Sequence, residues 1–529
     1  MPERKTVPWT TDQILARAVE EGPDRIAIVC EDEELTYAEL DTEANRFGQM
    51  LYGLGVGPGD KVAVMMANRP EYLVAYHGIA RCGAVLVPLV TQSKPPEIAY
   101  FIEHSEASVL IVDDERWEVV RDHLVPKRAP ELATIKQVIK IGDQAPGADS
   151  LAQLLAAAPS ERVDYVPSEE EMVALMYTSG STGRPKAVIH PHYTAVAQAE
   201  AVSERMGYGP DDRLMTIFPL FHGNALVWSA LTAVWAGARV IIFPRFSASR
   251  FWDQARRHGA TEVNLLVGAI NMILAQPPRP DDRDHPVRTS VANVTKAVYD
   301  EFSERFGVEI VSTWALAEGP LGTMTAPGHG YKAAEIGWPL GHDNEIKVVD
   351  ENDQEVGPGV TGELVQRNRA MMPGYYKNPE ESARVLRGGW VHSGDLGYRD
   401  EEGIFYFVGR EKHVIRRSGE NVSGEEVEEC LQENPKVETV ASIAVPDDIR
   451  GEEVKVYVVV QDGEELTAEE VVAWCEERLA DFKVPRYVEF IAELPRTGPL
   501  KVDRPALAKR PNLTDCWDRE GAGQSEVAS

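Results

Sequence analysis

The sequence predicts an α/β protein in which a large N-terminal domain of α/β layers carries a β-rich subdomain and is followed by a small α+β C-terminal domain. Three observations support this prediction. The chain of 529 residues is longer than a single hydrophobic core fills. Strand-like and helix-like patterns alternate through its first part. The pattern changes to short strands and turns near residue 345 and changes again near residue 409.

The alternation of strands and helices is clearest in the N-terminal part. Residues 60–66 predict a strand, residues 71–80 the helix that follows it, residues 84–89 the next strand and residues 109–113 another. Strands separated in this way by helices favour a parallel sheet with helices packed on its faces. Residues 240–243 continue the pattern in the middle of the chain.

The later part of the chain divides into a β-rich segment, an α+β segment and a tail. Residues 345–408 carry short strand patterns separated by Gly and Pro, which predicts a β-rich subdomain. After Gly409, an acidic helix, two strands and a further helix predict a separate α+β domain of about 100 residues. Residues 511–529 are polar and contain Gly and Ser, which predicts a disordered tail.

The composition and charge exclude several classes of protein. The net charge of −31 and the pI of about 4.8 argue against a nucleic-acid partner, which needs a basic surface. The longest apolar runs, such as residues 226–238, are too short to span a bilayer, and residues 1–5 lead into polar sequence without a visible secretory signal. The five cysteines show no metal-binding or redox spacing, and they favour a reducing, cytoplasmic location.

The most informative segment is residues 177–186, Tyr-Thr-Ser-Gly-Ser-Thr-Gly-Arg-Pro-Lys. Its glycines let backbone N–H groups approach an anion, its hydroxyl groups donate hydrogen bonds, and Arg184 and Lys186 supply positive charge. Residues 172–177 read as a buried strand, and a strand running into such a loop is a common layout for a phosphate site. The spacing is not Gly-x-x-x-x-Gly-Lys-Ser/Thr, because Arg-Pro separates Gly183 from Lys186. The segment therefore predicts a polyphosphate-binding loop of another kind.

A second motif, Ser-Gly-Asp at residues 393–395, ends on a carboxylate that can accept both hydroxyl groups of a ribose. Together, the loop and this motif resemble the phosphate-binding signature and the ribose-binding aspartate of the adenylate-forming superfamily. That superfamily contains acyl-CoA synthetases, luciferases and peptide-synthetase adenylation domains. The resemblance covers residues 10–509, and phrases at residues 276–283 and 398–403 are similar to the carnitine/crotonobetaine-CoA ligase subgroup.

The resemblance implies a division into domains and a set of bound molecules. Residues 1–408 would form an AMP-binding domain, residues 409–412 a hinge with Lys412 as its pivot, and residues 413–510 a mobile C-terminal domain that rotates between two half-reactions. The implied ligands are ATP or AMP, CoA and Mg²⁺, with a small-molecule carboxylic acid or its acyl-AMP as the substrate. The oligomeric state is not specified.

The resemblance also assigns roles to individual residues. The implied catalytic residues are Lys501, Glu318 and Thr178, and the last two would also hold Mg²⁺. The implied nucleotide-binding residues are Thr178, Ser179, Gly180, Ser181, Thr182, Gly183, Lys186, Trp314, Ala317, Asp395 and Arg410. The implied CoA-binding residues are Arg416, Ser418 and Gly419, and those of the acyl pocket are His222, Gly223, Val267 and Gly268.

The chain departs from the superfamily's pattern at three places near the nucleotide. Ala317 precedes Glu318 where the superfamily has Thr, so a methyl group replaces a hydroxyl that meets the α-phosphate. Residues 288–296 replace a Gly-Gly-Ala/Pro turn that packs on adenine, and Leu500 replaces the Gly before Lys501. Losing one hydrogen bond to a charged group costs about 1.5–3 kcal/mol, or about ten- to a hundredfold in rate. These departures predict a weakened adenylation step.

Four functions are consistent with these residues. The first is an acyl-CoA ligase that makes an acyl-AMP and then the thioester. The second is an adenylation-impaired ligase that thioesterifies an acyl-AMP made by a partner adenylating enzyme. The third is an adenylation enzyme that loads a carrier protein, and the fourth is a non-catalytic acyl-adenylate-binding protein. Taken singly, Lys501 could equally be a solvated surface lysine, and His222 could be a histidine of the core. Single residues therefore do not decide between the four functions. The acid itself is not readable from the sequence.

Overall fold

The computed structural model of the protein describes residues 9–124, 134–178, 185–410, 414–495, 502–509, 513 and 516–521. Up to residue 178 the elements are α1 (Thr11–Glu21), β1 (Ile26–Cys30), β2 (Glu33–Thr36), α2 (Tyr37–Gly53), β3 (Lys61–Met65), α3 (Pro70–Arg81), β4 (Val85–Pro88), α4 (Pro95–Ser105), β5 (Val109–Val112), α5 (Asp114–Leu124), β6 (Gln137–Lys140), β7 (Asp149–Ser150), α6 (Leu151–Ala157) and β8 (Met172–Thr178).

The middle of the chain continues the alternation of strands and helices. Its elements are β9 (Lys186–Pro191), α7 (His192–Met206), β10 (Arg213–Thr216), a π-helix (Asn224–Leu231), α8 (Thr232–Ala236), β11 (Arg239–Ile242), α9 (Phe251–His258), β12 (Glu262–Asn264), α10 (Val267–Leu274), β13 (Thr289–Val291), α11 (Lys296–Phe306) and β14 (Glu309–Val311).

The remaining elements are mostly strands. Up to residue 410 they are β15 (Thr313–Trp314), β16 (Thr323–Met324), β17 (Glu335–Pro339), β18 (Glu345–Val349), β19 (Gly362–Arg367), α12 (Pro379–Val385), a 3-10 turn (Arg387–Gly389), β20 (Val391–Arg399) and β21 (Phe405–Arg410). After residue 413 they are β22 (Val414–Arg417), β23 (Glu420–Ser423), α13 (Gly424–Gln432), β24 (Val437–Asp447), β25 (Gly451–Val460), α14 (Ala468–Glu476), β26 (Tyr487–Phe490), α15 (Arg504–Ala508) and β27 (Trp517–Asp518).

Two largely parallel sheets form the N-terminal part. The first has the strand order β14-β13-β12-β10-β11-β1-β2, and the second has the order β7-β6-β5-β3-β4-β8-β9. Each ends in one antiparallel pair, β1 with β2 and β8 with β9. The strands predicted from residues 60–66, 84–89 and 109–113 are β3, β4 and β5, which lie side by side in the second sheet. The predicted α/β class is confirmed.

The main hydrophobic core lies between these two sheets. It joins Ile28 and Val240 of the first sheet to Val62 and Leu86 of the second, with Phe47 of α2 packed among them. Strands that are covered on both faces need apolar side chains on both faces, which explains their continuous apolar runs. The ends of the helices follow local sequence as well. Thr36 and Glu39, for example, form a reciprocal capping box at the start of α2.

A third sheet is antiparallel, with the order β15-β16-β17-β21-β20-β19-β18. It contains the strands of the predicted subdomain at residues 345–408, and it also takes in β15, β16 and β17, which come before residue 345 in the chain. Its last strand, β21, runs on to Arg410, so the sheet reaches into the predicted hinge at residues 409–412.

The C-terminal part has its own sheet and its own core. Its strand order is β23-β22-β25-β26-β27, with β24 paired to β25. Val427 and Val472 of α13 and α14 pack on Val456 of β25 to form the core. Part of the tail that we expected to be disordered, residues 511–529, differs from that expectation, because β27 pairs with β26. Asp518 of β27 also forms an ion pair with Arg486 at 3.1 Å, which holds this short strand on the sheet.

Among the residues that the structure describes, no helix combines the length and the apolar character needed to cross a membrane.

Candidate functional site

A cavity of about 750 Å³ opens where the second sheet, the third sheet and the C-terminal part meet. Cavities of this size suit a drug-sized or nucleotide-sized ligand. Many of the residues that the sequence singled out line it, namely Thr178, His222, Gly223, Val267, Trp314, Ala317, Arg416 and Gly419. The structure therefore brings these eight predicted residues to one place, whereas the lining does not include Lys186, Gly268, Glu318, Asp395 or Ser418.

Several predicted residues lie outside the part of the chain that the structure describes. They are Ser179, Gly180, Ser181, Thr182, Gly183, Lys412, Leu500 and Lys501. The backbone of Arg410 is described and pairs with that of Asp395 across β21 and β20. The predicted roles of these residues stay predictions.

The ends of the phosphate loop are fixed by a strand pair. Thr178 ends β8 and lies opposite Lys186, the first residue of β9, in the antiparallel register. The loop therefore connects two neighbouring strands at the cavity. Its lysine is buried, with a side chain only 8% exposed, and its ammonium group forms an ion pair with Glu381 at the start of α12. The same ammonium lies 5.1 Å from the centre of the Tyr375 ring.

Tyr375 links the lysine to the predicted metal ligand Glu318. Its hydroxyl donates a 2.7 Å hydrogen bond to Oε1 of Glu318. The carboxylate of Glu318 and the hydroxyl of Thr178 are hard oxygen donors of the kind that Mg²⁺ prefers. These residues fit a magnesium ion bound to a polyphosphate, although Glu318 already shares one oxygen with Tyr375.

The carboxylate of the predicted ribose motif, Asp395, is hydrogen-bonded to a second buried side chain. Asp395 of β20 is fully buried, and its Oδ2 accepts a 2.7 Å hydrogen bond from the indole N–H of Trp314 in β15. This hydrogen bond spans two strands of the third sheet and fixes the direction of the carboxylate. Burial in a low-dielectric site strengthens such a hydrogen bond to a charged acceptor.

Ala317, which stands where the superfamily has threonine, lines the same cavity. Nε2 of His190 is 2.8 Å from the carbonyl oxygen of Ala317, so β9 holds this residue through its backbone. Burial lowers the pKa of His190, and the imidazole is therefore neutral at pH 7 with an Nε2–H that donates to the carbonyl. The methyl group of Ala317 offers no hydrogen-bond donor at the position where the superfamily has the hydroxyl group of a threonine.

Three residues of the segment 288–296, namely residues 293–295, line the cavity together with Trp314. The amide group of Asn293 bridges to the backbone of Thr313: its Nδ2 donates to the carbonyl at 2.7 Å and its Oδ1 accepts from the N–H at 3.0 Å. Tyr331 donates a 3.0 Å hydrogen bond to the carbonyl of Val294. These hydrogen bonds hold Asn293 and Val294 in place, and Asn293, Val294 and Thr295 all line the cavity.

The predicted acyl pocket lies at the start of the π-helix. Gly223 precedes this helix, and a Cβ added to it would lie 3.7 Å from Cε of Met176, which is ordinary contact. Phe221 and Trp228 line the cavity beside it. π-Helical turns are rare and occur often at functional sites. The sequence pattern did not predict this one, because its apolar residues fit a regular helix equally well.

The predicted CoA segment is a tight hairpin between β22 and β23. Ser418 and Gly419 form its turn with φ angles of 51° and 92°, and the turn packs directly on Leu266. A Cβ added to Gly419 would lie 1.8 Å from Cδ1 of Leu266, so only glycine fits there. Gly268 is close as well, since a Cβ at this position would be 3.7 Å from Cα of Ser418. The guanidinium of Arg416 lies 5.5 Å from the Phe407 ring.

Glu420, next to this turn, contacts the acyl pocket. Its Oε1 is 3.0 Å from Nε2 of His222. Burial alone would raise the pKa of Glu420, but His222 and Lys483 hold that pKa below its ordinary value. The carboxylate is therefore ionised at neutral pH, and it ties the C-terminal hairpin to the N-terminal pocket.

A second contact joins the C-terminal part to α4. The ammonium of Lys483 lies 2.6 Å from Oε1 of Glu97 in α4 and 2.7 Å from Oε1 of Glu426 in α13. Burial alone would lower the pKa of Lys483, but the two carboxylates raise it. Burial also raises the pKa of Glu426. Neither this triad nor Glu381 was predicted from the sequence, because no motif contains these residues.

Comparison with known proteins agrees with this geometry. The AMP-binding enzyme family matches residues 15–376, and the AMP-binding enzyme C-terminal domain matches residues 426–501. The chain belongs to the AMP-binding enzyme family, and the resemblance to adenylate-forming enzymes is confirmed. A crotonobetaine/carnitine–CoA ligase of Salmonella enteritidis is 32% identical over 489 residues, which cover 89% of this chain and 94% of that protein.

Two solved structures share the fold over nearly the whole chain. A double mutant of the o-succinylbenzoate CoA synthetase of Bacillus subtilis, bound with its product analogue OSB-NCoA, superposes with a TM-score of 0.83 at 26% identity, covering 94% of this chain and 98% of that one. ATP-bound MatB from Rhodopseudomonas palustris superposes with a TM-score of 0.69 at 26% identity, covering 94% of this chain and 98% of that one.

Proposed function

We propose that the chain is an AMP-forming acyl-CoA ligase that joins a carboxylic acid to CoA through an acyl-AMP. The observation that carries this proposal is the position of the hairpin at residues 414–423. It closes the same cavity that holds Trp314 and Thr178, so a nucleotide side and a thiol side share one space. A protein that only bound acyl-adenylates would have no use for a glycine turn that lines the same cavity.

The first half-reaction joins the acid to AMP. A carboxylate oxygen of the acid attacks the α-phosphorus of ATP, and pyrophosphate leaves. Thr178 and the rest of the loop would hold the polyphosphate, Asp395 would accept the ribose hydroxyl groups, and Lys501 would neutralise charge at the α-phosphate. A magnesium ion held by Glu318 and Thr178 would neutralise charge on the polyphosphate.

The second half-reaction transfers the acyl group to CoA. The thiol sulfur attacks the acyl carbonyl carbon, the bond to the phosphate oxygen breaks, and AMP leaves. Gly419 would let the pantetheine chain pass close to the backbone, and Arg416 would lie near the mouth of the channel.

We further propose that adenylation is the weaker half-reaction. Ala317 lacks a hydroxyl for the α-phosphate, and Lys186 of the phosphate loop is already neutralised by Glu381. Neither feature lies at the thiol side of the cavity. An acyl-AMP supplied by a partner adenylating enzyme would bypass both features. The acceptor is a separate question, because the thiol of a carrier protein could attack the acyl-AMP in the same way as CoA.

For the acid we propose an apolar acyl group. Phe221, Trp228 and Leu266 line the cavity near Gly223, and Glu420, the carboxylate beside them, is paired with His222. Crotonobetaine, the acid named for the Salmonella relative, is the comparison acid. The five cysteines are unpaired thiols, which supports a reducing, cytoplasmic location.

One experiment tests the function. The enzyme is given ATP and CoA with a panel of aliphatic and aromatic acids and crotonobetaine, and in parallel the matching synthetic acyl-AMPs with CoA or with a phosphopantetheinyl carrier protein. We expect acyl-CoA in both series, faster from acyl-AMP, and a Lys501→Ala variant that loses only the ATP-dependent series. Absence of thioester from every acid and every acyl-AMP would refute the proposal.

A further inference from the structure

The lysine of the phosphate loop has a fixed partner within the protein. Lys186 and Glu381 are 195 residues apart in sequence, and their side chains are only 8% and 11% exposed. Glu381 lies in the first turn of α12, where its backbone N–H donates a 3.2 Å hydrogen bond to the side chain of Asn378. A carboxylate is favoured at this end of a helix, so Glu381 is held in place on its own side of the pair.

Glu381 does not depend on the lysine alone. Nε of Arg384 donates to its Oε2 at 2.6 Å, and a second guanidinium nitrogen donates to its Oε1 at 2.5 Å. If the ammonium of Lys186 moved to another anion, Glu381 would keep the guanidinium and would not become an unpaired buried charge. Such an exchange is therefore much less costly than breaking an isolated buried pair.

The polyphosphate of ATP is the anion that would compete for this lysine. We propose that Glu381 is an internal counter-ion for Lys186, and that the β- and γ-phosphates of ATP must displace it to reach the lysine. Because AMP lacks these phosphates, Glu381 then sets the ratio of the ATP and AMP affinities of the site. This inference rests on the proposed function, because it takes the loop at residues 177–186 to be the polyphosphate site. Glu381 acts through Lys186, so it is a positioning residue.

The test compares the equilibrium affinities of ATP and AMP, which do not require adenylation to occur. Glu381→Gln keeps the shape of the side chain and removes its charge. Glu380→Gln is the matched control, because Glu380 is the neighbouring, exposed carboxylate of the same helix turn and forms no ion pair with the described residues. Dissociation constants for Mg²⁺–ATP and for AMP are measured by calorimetry for both variants and the parent, with thermal unfolding as a check on folding.

We expect Glu381→Gln to lower the dissociation constant of ATP by about three- to thirtyfold and that of AMP by less than about twofold. Glu380→Gln leaves both unchanged. In a Lys186→Met background, where the lysine charge is absent, the Glu381 substitution no longer strengthens ATP binding. An unchanged or weaker ATP affinity, an equal gain for AMP, or a gain that persists without Lys186 would overturn the proposal.

The two proposals fail in different ways. If the parent binds ATP and AMP but makes no thioester from any acid or acyl-AMP, the proposed function is refuted. The counter-ion proposal is then still tested by the nucleotide affinities. If the enzyme makes acyl-CoA and Glu381→Gln does not favour ATP, only the counter-ion fails. If the parent and all variants bind neither nucleotide, both are overturned.

Discussion

The indole N–H of Trp314 donates a 2.7 Å hydrogen bond to Oδ2 of Asp395, and both side chains are buried. The two residues come from β15 and β20, which lie apart in the strand order of the third sheet. The indole therefore does more than provide an apolar wall. It fixes the orientation of the carboxylate that we assign to the ribose, and it supplies one of the donors that a buried carboxylate requires.

The first prediction concerns this hydrogen bond. Trp314→Phe keeps an aromatic wall but removes the donor, and a hydrogen bond to a charged group contributes about 1.5–3 kcal/mol. We expect the affinity for AMP to fall about ten- to a hundredfold, as measured by calorimetry. Trp338→Phe, at a tryptophan of β17 that contacts His329, is the control and should bind AMP like the parent. Equal AMP affinities for the two variants would show that the indole donor is not used.

The second prediction concerns the departure at residue 317. Ala317→Thr restores a hydroxyl beside the α-phosphate, so we expect ATP–pyrophosphate exchange with the preferred acid to rise about tenfold or more. Ala317→Val is the matched control, because valine has the shape of threonine without its hydroxyl. Thioester formation from preformed acyl-AMP should change little in either variant. A rise that is the same for valine and threonine would attribute the effect to packing.

The third prediction concerns the hairpin turn. Gly419→Ala introduces a Cβ that would lie 1.8 Å from Cδ1 of Leu266, at a φ angle of 92°. We expect this variant to lose most of its transfer from acyl-AMP to CoA while it keeps ATP–pyrophosphate exchange, because the turn would be pushed away from the pocket. Gly463→Ala is the control, since Gly463 also has a positive φ of 86° but no described atom would lie within 4 Å of its Cβ. Adding Leu266→Ala to the Gly419 variant should restore part of the transfer.

Much of the fold was predictable because its signals are local. The strands β3, β4 and β5 follow from short apolar runs, and the phosphate loop and Asp395 follow from residues that are adjacent in sequence. The end of the chain was less predictable. Trp517 and Asp518 pair with β26 in a segment whose composition is that of a tail, because one strand pair and the ion pair with Arg486 outweigh the polar composition.

The site was predictable only in part, for the same reason. Glu381 reaches Lys186 across 195 residues, and Lys483 reaches Glu97 across 386 residues. No periodicity or motif relates residues so far apart, and Glu381, Lys483 and Glu97 each look like an ordinary surface charge in the sequence. Their significance comes from burial, which the tertiary structure alone provides.

The fourth prediction concerns the contact between the C-terminal part and α4. Lys483→Met keeps the length of the side chain but leaves the carboxylates of Glu97 and Glu426 buried without their shared cation, which costs roughly 3–5 kcal/mol. We expect this arrangement of the C-terminal part to be lost, so that transfer to CoA falls by at least about a hundredfold while ATP–pyrophosphate exchange persists.

The control for this substitution is Lys94→Met. Lys94 pairs with Asp481 at 2.8 Å, but these side chains are 30% and 73% exposed, and an exposed pair contributes about 0–1 kcal/mol. Rapid-quench measurement of each half-reaction separates the two effects. Equal losses of both half-reactions in the Lys483 variant would indicate general destabilisation, and thermal unfolding would detect it.

The last prediction concerns pH. The hydrogen bonds from Arg384 are the main cause that lowers the pKa of Glu381 to about 2; burial opposes this shift and Lys186 adds to it. A lowered carboxyl pKa means that the ion pair contributes fully above the ordinary value of 4.5 and is lost as the pH falls through about 2. The penalty that Glu381 imposes on ATP binding should therefore be constant from about pH 6 to about pH 9.

The measurement is the ratio of the ATP dissociation constants of the parent and Glu381→Gln, obtained by calorimetry across this range. We expect this ratio to be independent of pH. A ratio that titrates with a midpoint near neutral pH would assign the effect to another group, and would contradict a carboxylate held ionised by Arg384.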